Sequence, residues 1–574
     1  MYTVQKDWLN VDIIWFLEID YLGTTKRFAT IQFDYTDNDK SYLYNSGLND
    51  VKIEQSLSEV GTIKVTTDSI AIAITFSDIN IAKNQINGKF LEKSVCRLGY
   101  VLIKNGEIQN NYVDRPIVYT GIVSSPVYGH PDKTNGYVEF SIENTVNIDK
   151  TPLLTHIIGS DHFIEDVSCT NALYVSPDWP THQGLTEVQD IHRGKIIPFV
   201  FGELTQVQHS SGVTSGIPIT PAYAIAYDPS ATAKPVFYLL CGHVTNATSV
   251  KLYSNTGETD TANIKTFVNI DDRTLTYVEI PNTSSIPQSV AANDDREVWV
   301  EWTNGSAYPN PVDTTIFTGA GDLCLWLLSA VTDKIDYGAW AALKPMLNQY
   351  KFAGYVNDPK ITILQWLQKN IIAYLPIHLI NGVYGIKPVL SMFQSIADLQ
   401  PRLTIKTCPS FTRNSAVVSD SDDNDITNVV TVRYAKNGVT DNYSTYVKIS
   451  DVIPAASVLS SNTYIASQKS RNSIQRYGTK NNTIELDYVY NNLTAQRIAQ
   501  DIIDKKSFMK KSIQYSVSLQ YGYLELGDII QITDEELGYI NQKTQISQKI
   551  FDKNKWLITV KIDENPNKYN RNEA

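Results

Sequence analysis

The chain has 574 residues, 42% of them hydrophobic and 19% charged, a length that predicts about four domains, each able to bury its own core. The charged fraction lies below the roughly 25% of an average globular protein, which argues against intrinsic disorder and against a long charged coiled coil. With 61 acidic and 49 basic residues the formal net charge is -12; that field repels phosphate, and no basic run offers a local exception, so a generic nucleic-acid binder is disfavoured.

The five cysteines are dispersed with no CxxC spacing and read as reduced thiols. The apolar run at residues 13–17 ends at Glu18, too short for the core of a signal peptide. The most continuous apolar stretch, 323–331, is about half of the ~18 residues that suggest a membrane span. A soluble protein made in a cytoplasm, with no membrane span, is expected. Tyrosine is frequent, 34 residues against four methionines, and its apolar face and polar tip suit half-buried strand and contact positions.

Residues 1–150 read as a β-domain. Ile70, Ile72, Ile74 and Phe76 alternate with small residues, and Val138, Phe140 and Ile142 alternate with Glu139, Ser141 and Glu143, the period of two that turns one face inward. Asn105-Gly106 and Asn135-Gly136 supply hairpin turns. Residues 151–202 form a mixed connecting segment that ends in Arg193-Gly194-Lys195-Ile196-Ile197-Pro198-Phe199-Val200-Phe201-Gly202. Proline lacks the amide of a central strand, so an edge strand or one interrupted at Pro198 is expected. Residues 203–318, rich in Ser, Thr, Asn and Pro, carry strand patterns such as Val298, Val300 and Trp302 around Glu301 and read as an inserted, loop-rich β-module.

Residues 319–395 read as an α+β module. Asp322 is placed to cap a helix through Leu323, Trp326, Leu327 and Ala330, and Asp358-Pro359 marks a second helix start. Ile363, Leu364, Leu367 and Ile371 make one apolar stripe of that helix. A hairpin follows, with Asn381-Gly382 as its turn. The last segment, 396–574, is β-rich with one helix: strands at 429–434, 483–490, 512–519, 528–533 and 556–562, and a helix presenting Ala495, Ile498, Ala499, Ile502 and Ile503. No internal repeat is visible. The fold class is mainly β with α+β modules, in several domains.

No catalytic, cofactor-binding or metal-binding residues are assigned. His156, Asp161, His162, Glu165, Asp166, His182 and His192 match no zinc template. Asp420, Asp422, Asp423, Asn424 and Asp425 are acidic, but the sixth and twelfth positions of a calcium loop would be Asp425 and Thr431 where glycine and glutamate are needed. Gly212-Val213-Thr214-Ser215-Gly216 is not GxSxG. Gly319-Ala320-Gly321 lacks the third glycine and the lysine of the nucleotide-binding loops. A β-rich glycosidase or peptidase therefore has no activated nucleophile or metal template to support it.

Several stretches in order resemble the tail-hub or tail-tip proteins of tailed bacteriophages and gene transfer agents. They are Ile19-Asp20-Tyr21-Leu22-Gly23, Phe28-Ala29-Thr30 and Ser41-Tyr42-Leu43-Tyr44 at the start, then Tyr119-Thr120-Gly121-Ile122-Val123. The run from Gly194 to Gly202 is similar to the "GKPIPIVYG" segment of that group, and 323–390 to its helix, helix and hairpin module. Asn428-Val429-Val430-Thr431-Val432-Arg433-Tyr434, Arg476-Tyr477-Gly478, the helix at 495–503 and Leu526-Gly527-Asp528-Ile529-Ile530 follow the group's strand, YG, helix and "pGD.I" succession. Leu526 stands where proline is common, and 203–318 is the least matched part.

The resemblance implies tail-tube-like β-barrel or sandwich domains in a virion structural protein of the viral tail: a tail hub of the baseplate, a homotrimer whose ring joins the tail tube to the tip or central fibre. It implies partners among the tail tube or distal tail protein, the receptor-binding proteins and the tape-measure protein. DNA would pass through the ring during genome ejection without specific binding, and host attachment would follow from the fibres seated on it. No cell-wall-degrading activity and no cofactor are expected. The alternative is a receptor- or carbohydrate-binding tail protein, motivated by the aromatic content and the loop-rich 203–318 segment.

Overall fold

The computed structural model describes residues 12–563 apart from several internal segments, the longest being 57–68, 77–90, 167–197, 287–296 and 392–402. Strands from both ends of the chain share one sixteen-stranded sheet. Its C-terminal half runs from Phe411–Asp420 through Lys510–Val517 and Lys555–Asp563 to Tyr539–Asp552. That last strand pairs antiparallel with Leu48–Ser56, Gln548 opposite Ser56 and Phe551 opposite Ile53. The sheet continues through Ser69–Phe76, Gly136–Glu143, Ile117–Gly129, Val95–Lys104 and Asp12–Tyr21, and ends in Thr24–Ala29, Lys40–Ser46 and Phe33–Asp37.

The alternation expected of residues 69–76 and 136–143 is realised as a ladder with Val138 opposite Ile74 and Phe140 opposite Ile72. Val138, Phe140 and Ile142 are buried. Asn105 and Gly106, at φ 55° and 84°, close Lys104 onto Glu107, as the turn chemistry requires. Asn135 lies outside the described residues.

Residues 218–301 contain a closed six-stranded barrel. Its strand Val298–Glu301 is buried at all four positions because it is flanked by Pro218–Ala226 and Ser249–Ser254. Just past it, the Trp302 indole donates to the Thr220 hydroxyl at 2.8 Å. The strand Phe199–Thr205 begins directly after Pro198 and is central, between Asn304–Ala307 and Gly354–Val356. The proline thus interrupts nothing: it precedes the first ladder position, where its missing amide has no partner to lose.

Five α-helices are described: α1 (Ala320–Ser329), α2 (Tyr337–Leu347), α3 (Ile363–Asn370), α4 (Gln468–Tyr477) and α5 (Asn492–Lys506). Two expected caps are corrected. Asp322 lies inside the first turn of α1, whose N-cap is Gly319. The cap function there is supplied from a distance, because Asn348 Oδ1 accepts from the Asp322 amide at 3.0 Å and Asn348 Nδ2 donates back to Asp322 at 2.8 Å. Helix α3 starts at Ile363, where Thr362 and Gln365 form a capping box; Asp358 instead holds a turn by accepting from the Lys360 amide. The stripe itself is correct, with Ile363, Leu364, Leu367 and Ile371 all buried.

The hairpin Ile377–Gly382 with Gly385–Leu390 sets Gly382 opposite Gly385. Asn381 and Gly382 are therefore ladder positions, opposite Ile386 and Gly385, and not the turn expected of them. The strand expected at 483–490 is Asn481–Glu485. Beyond it the chain follows Val429–Lys436 by separate bonds, Leu486 N to Arg433 O and Ala435 N to Val489 O, because Ala435 has φ 60° and breaks the ladder. Helices α2 and α4 had no sequence expectation. In α2, Trp340, Leu343 and Leu347 lie at helical spacing against the core, but the internal Pro345 argues against reading a helix there; in α4 the buried residues are Ser470 and Ser473, which leave no apolar stripe to read. Helix α5 packs on a four-stranded sheet ordered Thr463–Ala466, Tyr443–Ser450, Val429–Lys436, Asn481–Glu485. Among the described residues no helix is long and apolar enough to cross a membrane.

Gly202 has φ 78°, and a Cβ built on it would lie 2.1 Å from the Phe352 carbonyl oxygen. Gly106 has φ 84° with nothing within 4 Å. Gly106→Ala therefore costs about 1 to 2 kcal/mol of backbone strain, whereas Gly202→Ala costs roughly 3 kcal/mol or more, because a backbone atom must also move. Urea unfolding of the two variants checks the difference; equal shifts in midpoint would rule out the close approach at Gly202.

Candidate functional site

The sequence candidates do not converge. His156 pairs with Asp166, and Ile157 with Glu165, in a two-residue ladder; Asp161, His162, His182 and His192 lie outside the described residues. Asp420 ends its strand and Asp425 is exposed, while Asp422, Asp423 and Asn424 are outside the described residues. Thr214 and Ser215 pair with Gln208 and Val207. Gly319 is a packing residue, since a Cβ there would lie 2.4 Å from Asn348 O. Among the described residues no three His, Cys, Asp or Glu side chains are grouped to hold a metal ion. Cys96 and Cys324 are buried free thiols. Burial pushes the Cys96 thiol up to about 12 and raises Cys324 as well, so neither is a thiolate nucleophile at neutral pH.

The densest charge arrangement is one that no motif announces. In the strand Asp12–Tyr21, Trp15, Leu17, Ile19 and Tyr21 face the core of the large sheet, while Ile14 and Phe16 face a second, smaller core. Glu18 continues that second face and is only 1% exposed. Register puts it opposite Arg27 on one neighbouring strand and Arg97 on the other. Arg115 closes the ring from the loop, 2.9 Å from Glu18 Oε2 and 3.2 Å from Oε1, with Arg27 and Arg97 each at 3.8 Å. The Tyr44 hydroxyl donates to Glu18 Oε1, and Tyr112 donates to the same oxygen at 3.4 Å.

Aromatic faces complete the cluster. The Arg115 guanidinium lies 3.9 Å over the Tyr112 ring, Tyr112 stacks on Tyr42 at 4.0 Å, and Arg27 covers Tyr42 at 5.0 Å. Next to Glu18, Asp20 accepts from both terminal nitrogens of Arg97, at 2.7 and 3.3 Å, and from Thr25 at 2.8 Å. The Arg97 hydrogen bonds, reinforced by Thr25 and opposed by partial burial, hold the Asp20 carboxyl below its ordinary value. Burial, with the Glu18 charge beside it, pushes the Tyr44 hydroxyl well up. Both Glu18 oxygens are occupied and the Tyr44 proton is held, so the cluster is neither acid, base nor nucleophile. It is a lock.

The lock fixes the end of the sheet. Its last strand, Phe33–Asp37, has a partner on one side only among the described residues, and Leu22, Ile31 and Leu43 are 54%, 61% and 48% exposed nearby in the chain. An open strand edge with exposed apolar residues is the geometry at which another chain can pair. In the sequence Glu18 is only the end of an apolar run; its arginines become neighbours through the register of the strands.

Residues 458–546 match the family described as "Putative phage tail protein", which supports a phage tail protein. No curated protein matches the chain. Among solved structures, the chain is similar to the tail protein from Neisseria meningitidis MC58, at 10% identity and TM-score 0.36, covering 96% of this chain and 97% of that one. It is similar to the 43 kDa tail protein of prophage MuSo2 from Shewanella oneidensis at 11% identity and TM-score 0.33, covering 94% and 99%. A chain from the virion of a native gene transfer agent particle matches at 10% identity and TM-score 0.34, covering 66% and 86%. Likenesses of that size leave function to be argued from the chain itself.

Glu18→Gln leaves three guanidiniums around a neutral amide and is expected to cost about 3 to 5 kcal/mol; Tyr44→Phe, which removes one donor to a charged oxygen, costs about 1.5 to 3 kcal/mol. Chemical denaturation of both variants checks the order, and a Tyr44→Phe loss exceeding that of Glu18→Gln would refute the carboxylate as the centre of the lock. Because the Asp20 carboxyl is lowered on folding, its stabilising contribution is complete above the unfolded value of about 4 and fades as pH falls through the lower folded value. Asp20→Asn is therefore expected to be less stable than the parent at pH 7, with the gap closing in acid. A gap that widens in acid would contradict the assignment.

Proposed function

We propose that this chain is a tail hub: a homotrimeric ring that joins the tail tube to the tip or central fibre and lines the channel through which DNA leaves the particle. The observation that carries the reading is the match of residues 458–546 to a phage tail family, supported by the ordered resemblance of the flanking segments. The N-terminal and C-terminal strands of the large sheet are the two β-units that each subunit contributes. Three subunits then offer six units to a sixfold tube. The net charge of -12 suits a channel that DNA must traverse without sticking, since phosphates gain nothing from such a wall.

In this reading the role is mechanical and not enzymatic. The hub binds the tube or distal tail protein on one face and the fibre or receptor-binding proteins on the other, with the tape-measure protein at its axis. The open edge at Phe33–Asp37 is where a neighbouring chain pairs. The barrel at 218–301 projects as the module that seats fibres, which also accommodates the receptor-binding alternative.

Gold labelling of assembled particles tests the reading: label is expected at the distal end of the tail, and label on the capsid or absence from virions would overturn it. Deleting 203–318 separates the two roles. Loss of assembled tails supports the hub, whereas intact tails that no longer adsorb to cells favour the receptor- or carbohydrate-binding alternative.

A further inference from the structure

A cavity of about 170 Å³ lies between the hairpin module and helix α5. Its walls include Leu375 from before the hairpin, Ile484 from the strand Asn481–Glu485, and Ile498 and Ile502 from α5; Asp501, Lys505 and Lys506 add charge. Aliphatic cavities of roughly 150 Å³ accept a benzene ring, so this one has room for one phenyl or branched aliphatic side chain. Asp501 is already engaged by the Tyr350 hydroxyl at 2.6 Å. Lys506 is exposed and has no ion pair among the described residues. The C-terminal end of a helix alone disfavours an anion, and Lys505 and Lys506 at the end of α5 reverse that local sign.

The cavity adjoins an open strand edge. Asn481–Glu485 is the last strand of its sheet, paired in parallel with Val429–Lys436 on one side. No strand lies beyond it among the described residues, and its one side-chain ion pair among them, Glu485 with Arg433 at 3.2 Å, runs back to the strand it already pairs with. Asn482 and Ile484 line the cavity, while Asn481, Thr483 and Glu485 are exposed. An unpaired row of amides and carbonyls, an apolar socket one side chain deep and an unpaired ammonium therefore stand side by side.

We propose that this is a strand-addition site for an extended acidic peptide of another protein. The peptide pairs with Asn481–Glu485, inserts one aromatic or branched apolar side chain between Ile484, Ile498 and Ile502, and sets a carboxylate against Lys506. Main-chain pairing supplies affinity, and the socket and the lysine supply specificity. The chemistry recognised is the same whether or not the chain is a tail hub.

The probe is a fluorescein-labelled, acetylated octapeptide of alternating Thr and Val with a central Phe and two flanking Glu, titrated with the full chain by fluorescence polarisation. Saturable binding with a Kd below about 1 mM is expected. Replacing the Phe by Ala weakens it roughly tenfold or more, and Lys506→Glu weakens it roughly fivefold or more. Hydrogen exchange at residues 481–485 slows on binding while exchange in the 218–301 barrel does not. Lys506 is exposed, so its variant keeps the fold, which the melting transition verifies; Ile498→Trp, which fills the socket, is the second variant and abolishes binding. No saturable binding at about 1 mM, equal binding of the Phe and Ala peptides, indifference to Lys506→Glu, or unchanged exchange at 481–485 would each overturn the proposal.

Discussion

The antiparallel pairing of Leu48–Ser56 with Tyr539–Asp552 is the contact on which the rest of the molecule depends. It joins positions 494 residues apart, as in the Gln548 to Glu54 hydrogen bond of 3.0 Å. Loop-closure entropy grows only slowly with length, about 0.6 kcal/mol per doubling, so a long-range ladder is affordable if it buries apolar surface. Here it does. Trp15 meets Phe551 edge-on at 4.7 Å, and Ile53, Ile546, Ile558 and Val560 enter the same core. Once the two ends are zipped, the barrel, the helices and the hairpin are held between anchored strands, and their placement becomes a property of the frame.

A frame of many strands needs its register fixed, because a slip of one residue exchanges the two faces. The strand Asp12–Tyr21 is apolar on both faces, so hydrophobic burial alone distinguishes its registers poorly. Glu18 settles the choice. In the observed register both cross-strand neighbours are arginines, and Arg115 and Tyr44 fill the remaining lone pairs. A slipped strand would bury the carboxylate without a partner in the core that Leu17 and Ile19 now occupy, at a cost of several kcal/mol. The ion cluster thus contributes uniqueness where apolar packing contributes stability.

What was legible in the sequence follows the same division. Alternation at 136–143, the Asn105-Gly106 turn and the stripes of α3 and α5 were readable because each pattern is local and apolar. Helix starts were off by a few residues wherever the capping partner is distant, as Asn348 is for Asp322, or competes with a neighbour, as Thr362 does with Asp358. Helix α2 was hidden by its internal Pro345, and α4 by a buried face made of serines. The Glu18 lock was out of reach for a stronger reason: Glu18 lies 26 residues from Tyr44, 94 from Tyr112 and 97 from Arg115, and only register brings those groups together.

The tyrosines that suggested contact surfaces do much of their work inside. Tyr44 donates to Glu18, Tyr253 to Glu301 and Tyr443 to Asp487, and Tyr350 donates to Asp501 at 2.6 Å and Tyr515 to Asp534 at 3.1 Å. Burial and the adjacent carboxylate raise the hydroxyls of Tyr44, Tyr253 and Tyr443, so the donor proton stays in place at neutral pH. Each such bond ties an acid to a fixed aromatic body. A general acid or base needs a carboxylate free to exchange its proton with a substrate; these five each accept a hydrogen bond from a fixed tyrosine instead. The same residue types that could have signalled chemistry are used here as hydrogen-bonded struts.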